Sequence, residues 1–323
     1  MELLNKLTQT DGVSGDEGEI RAVIEEYAKK LGYEIETDAL GNLIAKKGGN
    51  GKKIMIASHM DEIGIIVTFI DEKGFLRFSN IGGLNTKNLV NLKVRFKNGV
   101  IGVIGCDDEE TEKLKISNLF IDIGAKDEKE ASKMVSIGDR AAFVGDMYVN
   151  GKTVVSKALD NRIGCFAALR AMEKVNTDKD LYFVFTVQEE VGLRGAKGSA
   201  FEINPDYAIA VDVTDTGDTL GAAVMAVKLG GGAAIKVMDR SVLCDAQIRS
   251  TMIDVAKKNG IPYQLEIMTD GGTDAGALHL TRSGVKTGGI SVPTRYIHSP
   301  SEMADMNDVE ACVELLCKTI EEL

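Results

Sequence analysis

Three strongly apolar segments of this chain end directly in histidine or acidic residues, and this pattern constrains the fold more than any other feature. The residues that follow these segments are His59 after KIMIAS, Glu189 and Glu190 after LYFVFTVQ, and Asp212 after YAIAV. Short apolar runs of this kind predict buried strands. Ligands of open α/β sheets bind beyond the carboxyl ends of the strands. The sequence therefore predicts an imidazole and three carboxylates at one edge of one sheet.

Helical and strand patterns alternate over most of the chain. Ile20, Ile24 and Leu31 recur at helical spacing and are followed by Gly32, a residue typical of a helix end. Further strands and helices alternate after residue 160, and Asn307 with Glu310 is the predicted start of the last helix. Alternation of this kind predicts an α/β class protein, here a three-layer α/β/α domain with a mixed sheet.

Residues 65–153 have a different pattern. They contain short β-type runs, IIVTFI, GFLRF, NLKVRF, GVIGVIG, LFIDIG and AAFVG, separated by glycine or charged turns. Regularly spaced short strands predict a small β-barrel or sandwich. The α/β domain is then discontinuous, 1–64 and 154–323, with 65–153 inserted into it. None of the candidate site residues lies in the insertion, so we predict that it serves oligomerisation or access.

Composition and charge exclude several classes of function. The formal net charge is −11 and no basic stripe is present, which argues against nucleic acid as a partner. The longest apolar runs are strand-sized, which argues against a membrane span. The N-terminal segment has no apolar core typical of a signal peptide. Five cysteines without C-x-x-C spacing predict reduced thiols in a cytoplasmic protein.

Other residues complete the candidate site. Asp160 lies in SKALDNR at a predicted helix start, and His298 lies in TRYIHSPSEM after a strand-like run. Asp61 is two residues after His59, so in extended chain it points the same way and can orient the imidazole. Taken alone, each has an ordinary explanation, such as a helix cap for Asp160. The third histidine, His279, is at an amphipathic helical position and is interpreted as structural.

These residue types predict metal chemistry. Imidazoles and carboxylates without a thiolate suit Zn²⁺, Co²⁺ or Mn²⁺. Five potential ligands exceed one tetrahedral site and fit two ions about 3.5–4 Å apart that share a carboxylate and a water. A spare glutamate can take the proton of that water and pass it to the leaving group. From the residues alone, Glu189 and Glu190 are interchangeable in the roles of ligand and base.

Three alternatives compete with a two-metal peptidase. A glycosidase needs two carboxyl groups about 5–9.5 Å apart, but this chain has no Trp and only 5% aromatic residues for sugar stacking. A non-catalytic metal-binding scaffold would not need a spare carboxylate. An amide deacylase could use every one of the same ligands, and the ligands do not exclude it.

Six motifs resemble those of the M42 aminopeptidases, which belong to the co-catalytic zinc exopeptidases. The matching stretches are ASHMDEIG (57–64), SKALDNRIG (156–164), TVQEEVGLRGA (186–196), AVDVT (210–214), GGTDAG (271–276) and GISVPTRYIHSPSEM (289–303). Together they run through the whole predicted α/β domain. Relatives of this family have sometimes been labelled cellulases, which is one reason for weighing a glycosidase.

The resemblance implies a role for each site residue. These roles are His59 and Asp212 on one Zn²⁺ or Co²⁺ ion, Glu190 and His298 on the other, Asp160 bridging both, Glu189 as general base and acid, and Asp61 orienting His59. It also implies release of N-terminal residues from short peptides. The inserted β domain is expected to build dimers that combine into a dodecamer with the sites facing an interior chamber.

Some features stay open in the sequence. After GVIG the family often has a stretch with proline and histidine, whereas this chain has GCDDEETEKL (105–114). The preferred N-terminal residue is undetermined. Loops 214–227 and 288–297 are candidates for its pocket, and Arg295 could favour acidic side chains or only brace the loop. The turn at 271–274 could approach the site or be purely structural.

Overall fold

The computed structural model describes residues 1–107 and 114–323. Its helices are α1 (Glu2–Gln9), α2 (Gly18–Lys30), α3 (Glu128–Met134), α4 (Leu159–Lys174), α5 (Arg194–Ile203), α6 (Ala246–Asn259), α7 (Ala275–Leu278) and α8 (Met306–Glu322). Its strands are β1 (Glu34–Thr37), β2 (Leu43–Lys47), β3 (Lys53–His59), β4 (Gly64–Ile70), β5 (Leu76–Ile81), β6 (Lys93–Phe96), β7 (Ile101–Cys106), β8 (Leu119–Asp122), β9 (Arg140–Phe143), β10 (Tyr148–Asn150), β11 (Thr153–Ser156), β12 (Asp180–Thr186), β13 (Tyr207–Thr214), β14 (Ala233–Met238), β15 (Tyr263–Ile267), β16 (Lys286–Arg295) and β17 (Glu302–Asp305).

Eleven of these strands form one mixed sheet. Its order is β1-β2-β12-β3-β13-β16-β17-β11-β10, and β14 joins β15 to β16 beside this path. The central neighbours β12, β3, β13 and β16 are parallel, and the outer pairs β1–β2 and β10–β11 are antiparallel. Because the central strands are parallel, their carboxyl ends meet at one edge of the sheet.

The strand sequences explain why helices cover both faces of the sheet. Successive side chains of a strand point to opposite faces. In β3, Ile54 and Ile56 pack into the core that includes residues of α2, α4, α6 and α8. Met55 and Ala57 pack into a second core with residues of α5 and α7. Burial on both faces explains the nearly continuous apolar runs, and the predicted α/β/α layering is confirmed.

The inserted segment forms a closed antiparallel barrel and not a sandwich. The barrel order is β4-β5-β8-β7-β6-β9, and β9 closes onto β4. It has its own core, which includes Ile65, Phe78, Val94, Ile104 and Ile121. The expectation of a small β domain beside the α/β sheet is therefore confirmed in its barrel form.

Two details differ from the predictions. β10 lies inside the range 65–153 but pairs with β11 in the large sheet, so the barrel strands end at Phe143; the division into domains stays a prediction.

Helix α8 is capped by the Asp305 carboxylate, which accepts the Asn307 N–H at 2.7 Å. Asn307 is therefore not the capping residue, because its own backbone N–H donates to the Asp305 carboxylate. Most of GCDDEETEKL, residues 108–113, lies outside the described residues.

None of the helices in the described ranges is both long and apolar enough to cross a membrane.

Candidate metal centre

The carboxyl ends of three neighbouring parallel strands supply most of the site. His59 is the last residue of β3 and lies in register with Thr186 at the end of β12. Glu189 and Glu190 follow β12 after a short turn, and Asp212 lies near the end of β13. The sheet therefore brings together the imidazole and the three carboxylates that follow the apolar segments of the sequence.

Asp160 lies between two histidines at the start of α4. Its Oδ1 is 3.1 Å from His59 Nε2, and its Oδ2 is 3.3 Å from His298 Nε2. The Asp160 side chain is only 8% exposed. One carboxylate thus presents a different oxygen to each imidazole, which is the arrangement that a bridging ligand requires.

Each histidine has a second carboxylate of its own. Asp212 Oδ1 is 3.6 Å from His59 Nε2, and we call His59 with Asp212 the strand half-site. Glu190 Oε2 is 3.1 Å from His298 Nε2, and we call Glu190 with His298 the loop half-site. Potential ligand atoms of His59, Asp160 and Glu190 all lie within 4.8 Å of one another. The other oxygen of Glu190, Oε1, is buried without a hydrogen-bond partner among the described residues.

The buried carboxylates of the centre favour positive charge on its two histidines. Burial alone would lower the pKa of His298, but hydrogen bonds with Asp160 and Glu190 outweigh it and raise the pKa to about 12. Burial also opposes charge on His59, yet the carboxylates of Asp212, Glu189 and Asp160 raise its pKa well above the ordinary value. The buried carboxylates thus favour positive charge on the two imidazoles, and bound cations would supply positive charge in place of those protons.

The adjacent glutamates have different surroundings. Glu190 contacts His298, whereas Glu189 has no side-chain hydrogen bond among the described residues; both line the open cavity. Burial raises the pKa of Glu189 well above its usual range, and the nearby carboxylates of Asp212 and Glu190 add to this rise against the effect of His59. A carboxyl group with a raised pKa is suited to proton transfer near neutral pH.

Asp61 contacts both His59 and the glutamate turn. Its Oδ1 lies 3.4 Å from His59 Nδ1, and its carbonyl oxygen lies 3.2 Å from the same nitrogen. The carboxylate also accepts the backbone N–H groups of Glu189 at 3.0 Å and of Glu190 at 3.3 Å. Ser14 donates its hydroxyl to it at 2.6 Å. Asp61 therefore connects the imidazole to the two residues that follow β12.

Glu302 is a further residue of the centre, and the sequence gives no local signal for its role. Its Oε2 accepts the backbone N–H of Asp160 at 2.8 Å, and its Oε1 accepts the backbone N–H of His298 at 2.9 Å. The residue is 1% exposed, and burial raises the pKa of its carboxyl group well above the usual range. One buried side chain thus fixes the backbone of the shared carboxylate and of the loop histidine.

A cavity of about 460 Å³ opens over these residues. Its lining also includes Lys236, Met268 and the turn Gly271–Thr273, so this turn does approach the site. Arg295 does not line this cavity: it pairs with Asp218, Nη2 to Oδ2 at 2.7 Å, and braces the loop. His279 Nδ1 lies 3.0 Å from the Ala275 carbonyl oxygen and is also absent from the cavity lining, as expected for a structural histidine.

The barrel closes one side of the loop half-site. A Cβ on Gly83 would lie 3.0 Å from His298 Nδ1, and a Cβ on Gly82 would lie 3.1 Å from Glu190 Oε2. The turn after β5 therefore contacts two of the proposed ligands, and glycine allows its backbone to approach them. The inserted segment supplies no ligand but forms part of the site.

A buried cluster of imidazoles and carboxylates at the carboxyl edge of an α/β sheet is the arrangement of a metal-dependent hydrolase. The family model described as M42 glutamyl aminopeptidase matches residues 41–315, and the chain belongs to the M42 peptidase family. The predicted family is confirmed.

Similar proteins are known in bacteria and archaea. A putative aminopeptidase of Acetivibrio thermocellus is 55% identical and covers 99% of this chain and 98% of its own length. The aminopeptidase APDkam598 of Desulfurococcus kamchatkensis is 39% identical, with a TM-score of 0.94 over 100% of this chain and 94% of its own. The Pyrococcus horikoshii TET1 peptidase, which can assemble into a tetrahedron or a large octahedral shell, is 36% identical, with a TM-score of 0.88 over 100% and 99%.

These comparisons confirm that the chain is a hydrolase of the aminopeptidase class with the fold of its structural relatives. They support metal dependence, together with the His59, Asp160 and Glu190 group.

Proposed function

We propose that this chain is an aminopeptidase that uses two divalent cations, Zn²⁺ or Co²⁺, to release N-terminal residues from short peptides. The observation that carries the proposal is the position of Asp160, with one oxygen toward His59 and the other toward His298. The buried, unpartnered Oε1 of Glu190 and the excess of buried carboxylates fit bound cations. His59 and Asp212 would hold one ion, Glu190 and His298 the other, and Asp160 both.

The cations, when bound, supply a polarised carbonyl and a water of lowered pKa. The remaining chemistry falls to the side chains of this chain. Glu189 takes a proton from the attacking water and gives it to the leaving amine, which suits its raised pKa and its place on the cavity wall. Asp61 holds the His59 ring and, through two N–H groups, the backbone of Glu189 and Glu190.

The proposal predicts cleavage from a free N-terminus. Mass spectrometry of a digested decapeptide should show successive losses of single residues from that end, and the N-acetylated decapeptide should be cut far more slowly. Internal fragments as first products would contradict the proposal. Release of an acyl group from N-acyl amino acids, in place of peptide cleavage, would indicate a deacylase, and cleavage of a β-glucan would indicate a glycosidase.

We also propose a homo-oligomer, a dodecamer built from dimers, in which the barrel segment 65–153 governs assembly or access. A relative that forms closed shells, at 36% identity over the whole chain, supports this. Light scattering coupled to gel filtration measures it, and a monomer would contradict it. A cytoplasmic location stays a prediction.

A further inference from the structure

A second cavity, of about 820 Å³, lies between the barrel and the α/β domain. We call it the barrel groove. Its apolar and aromatic lining residues are Leu84, Leu89 and Leu92 on the barrel side and Val155, Tyr296, Ile297, Pro300 and Met303 on the other side. The groove is larger than the cavity over the metal centre, which measures about 460 Å³.

The barrel groove is chemically unlike the rest of the chain. Of the whole sequence, 27% is charged. In contrast, none of the described residues that line the groove is Asp, Glu, Lys or Arg, and the only titratable imidazole is His298 at its inner end. Asn85, Asn88, Ser299 and Ser301 add neutral polar groups. Such a lining favours an apolar side chain together with a hydrogen-bonding backbone and disfavours a charged side chain.

The groove adjoins the cavity over the metal centre. Gly83, Ile297 and His298 line both cavities. Because Gly83 has no side chain, the passage beside His298 stays open; a Cβ there would lie 3.0 Å from the ring nitrogen Nδ1. If the first residue of a peptide lies in the smaller cavity, this passage offers a path for its second residue into the groove.

From this shared wall and the apolar lining we infer that the barrel groove binds the second and third residues of the peptide substrate and selects an apolar second residue. The inference rests on the proposed aminopeptidase function. It gives the inserted barrel a direct part in substrate choice. A second copy of this chain seated in the groove is the competing occupant, and the experiment separates the two.

The test compares substrates that share a first residue X, chosen as the residue that the metal-loaded wild-type protein releases fastest. The substrates are the amide X-NH₂, which has no second residue, and the tripeptides X-Leu-Gly, X-Asp-Gly and X-Lys-Gly. We expect kcat/KM for X-Leu-Gly to exceed that for X-Asp-Gly by at least about tenfold. A ratio within about twofold of one would overturn the inference. If the metal-loaded protein releases no N-terminal residue from any peptide, so that no X can be chosen, the proposed function itself is refuted.

Charge variants of the groove wall make the test specific. Leu84 is half-buried on the barrel side, so Leu84→Lys should raise kcat/KM for X-Asp-Gly, and Leu84→Asp should raise it for X-Lys-Gly, each about tenfold. Because misfolding lowers activity, a gain in kcat/KM for these substrates cannot come from a misfolded variant. The matched control is Ile137→Lys, at a barrel position that is 64% exposed and does not line the groove. It should leave the order of preference unchanged.

Light scattering measures the particle size of every variant and so tests whether a second copy of this chain occupies the groove. If Leu84→Lys dissociates the assembly without changing the preference for the second residue, the groove is an interface between copies and the inference is wrong. If the preference changes while the particle size stays that of the wild type, the groove is a substrate site.

Discussion

The two halves of the metal centre are built in different ways. In the strand half-site, His59 and Asp212 lie on neighbouring parallel strands, with side chains only 2% and 7% exposed. In the loop half-site, His298 is 35% exposed and lies in a loop with a positive φ of 62°. Positive φ in a non-glycine residue persists only where surrounding contacts hold it. The sheet thus fixes one half, whereas the other half depends on contacts from distant segments.

Those contacts can be named. Glu302 holds the His298 backbone, Asp61 holds the Glu190 backbone, and Gly82 with Gly83 of the barrel packs against both side chains. None of them belongs to the ladder of the central strands. The loop half-site should therefore be the weaker of the two and the more sensitive to substitution, and each experiment below tests that difference.

Removal of the cations should have the largest effect. A chelator should abolish hydrolysis, because all the proposed ligands converge on the cations, and Zn²⁺ or Co²⁺ should restore it. Elemental analysis during chelation should show one ion leaving before the other, with the first loss from the loop half-site. Full activity in protein shown to be metal-free would exclude the two-cation proposal.

The next largest effect is expected at the adjacent glutamates. Glu189→Gln should lower kcat by about 10²–10⁴ while both cations remain, because the amide cannot accept the proton of the water. Glu190→Gln is the matched variant, and it should lower cation occupancy in the loop half-site because one ligand is weakened. If Glu189→Gln loses metal and Glu190→Gln does not, the two roles are reversed.

The same contrast explains how much the sequence could predict. His59, Glu189, Glu190 and Asp212 follow apolar strands, so strand ends alone predict their convergence. Within the loop half-site, His298 gives a weaker signal than Glu190: it follows a strand-like run only after a short loop, and its assignment rests on its sequence context and on family resemblance. Glu302 and Ser14 act through hydrogen bonds with distant partners, and such contacts leave no periodic pattern. The approach of Gly83 to His298 cannot be predicted from the sequence either, because this contact depends on how the barrel packs on the sheet.

Glu302→Gln tests the support of the loop half-site. In glutamine an NH₂ donor replaces one of the two carboxylate oxygens, so either the Asp160 or the His298 N–H group loses its acceptor. We expect the affinity of the loop half-site for its cation to fall about 10–100-fold, with a smaller change in the strand half-site. Isothermal titration of the metal-free protein with Zn²⁺ measures both.

The control for this variant is Glu310→Gln, at an exposed position on α8 where the carboxylate pairs with Lys174. It should leave both affinities unchanged. Equal weakening of the two half-sites by Glu302→Gln would show that Glu302 supports the centre as a whole and not its loop half.

The smallest effect is expected from Gly83→Ala, which asks whether the barrel holds the His298 ring. The φ of Gly83 is not positive, so alanine can adopt its backbone, and the added Cβ meets only the imidazole, Nδ1 at 3.0 Å and Cε1 at 3.2 Å. The half-exposed ring can yield by turning away from its preferred rotamer, at a cost of about 0.5–1.5 kcal/mol. Cation affinity of the loop half-site should therefore fall about two- to tenfold, and that of the strand half-site should stay constant in the same titration.

Gly18→Ala, where the new Cβ meets nothing within 4 Å, is the control. An unchanged loop half-site in Gly83→Ala would mean that the ring is held by Glu302 and its own loop without help from the barrel.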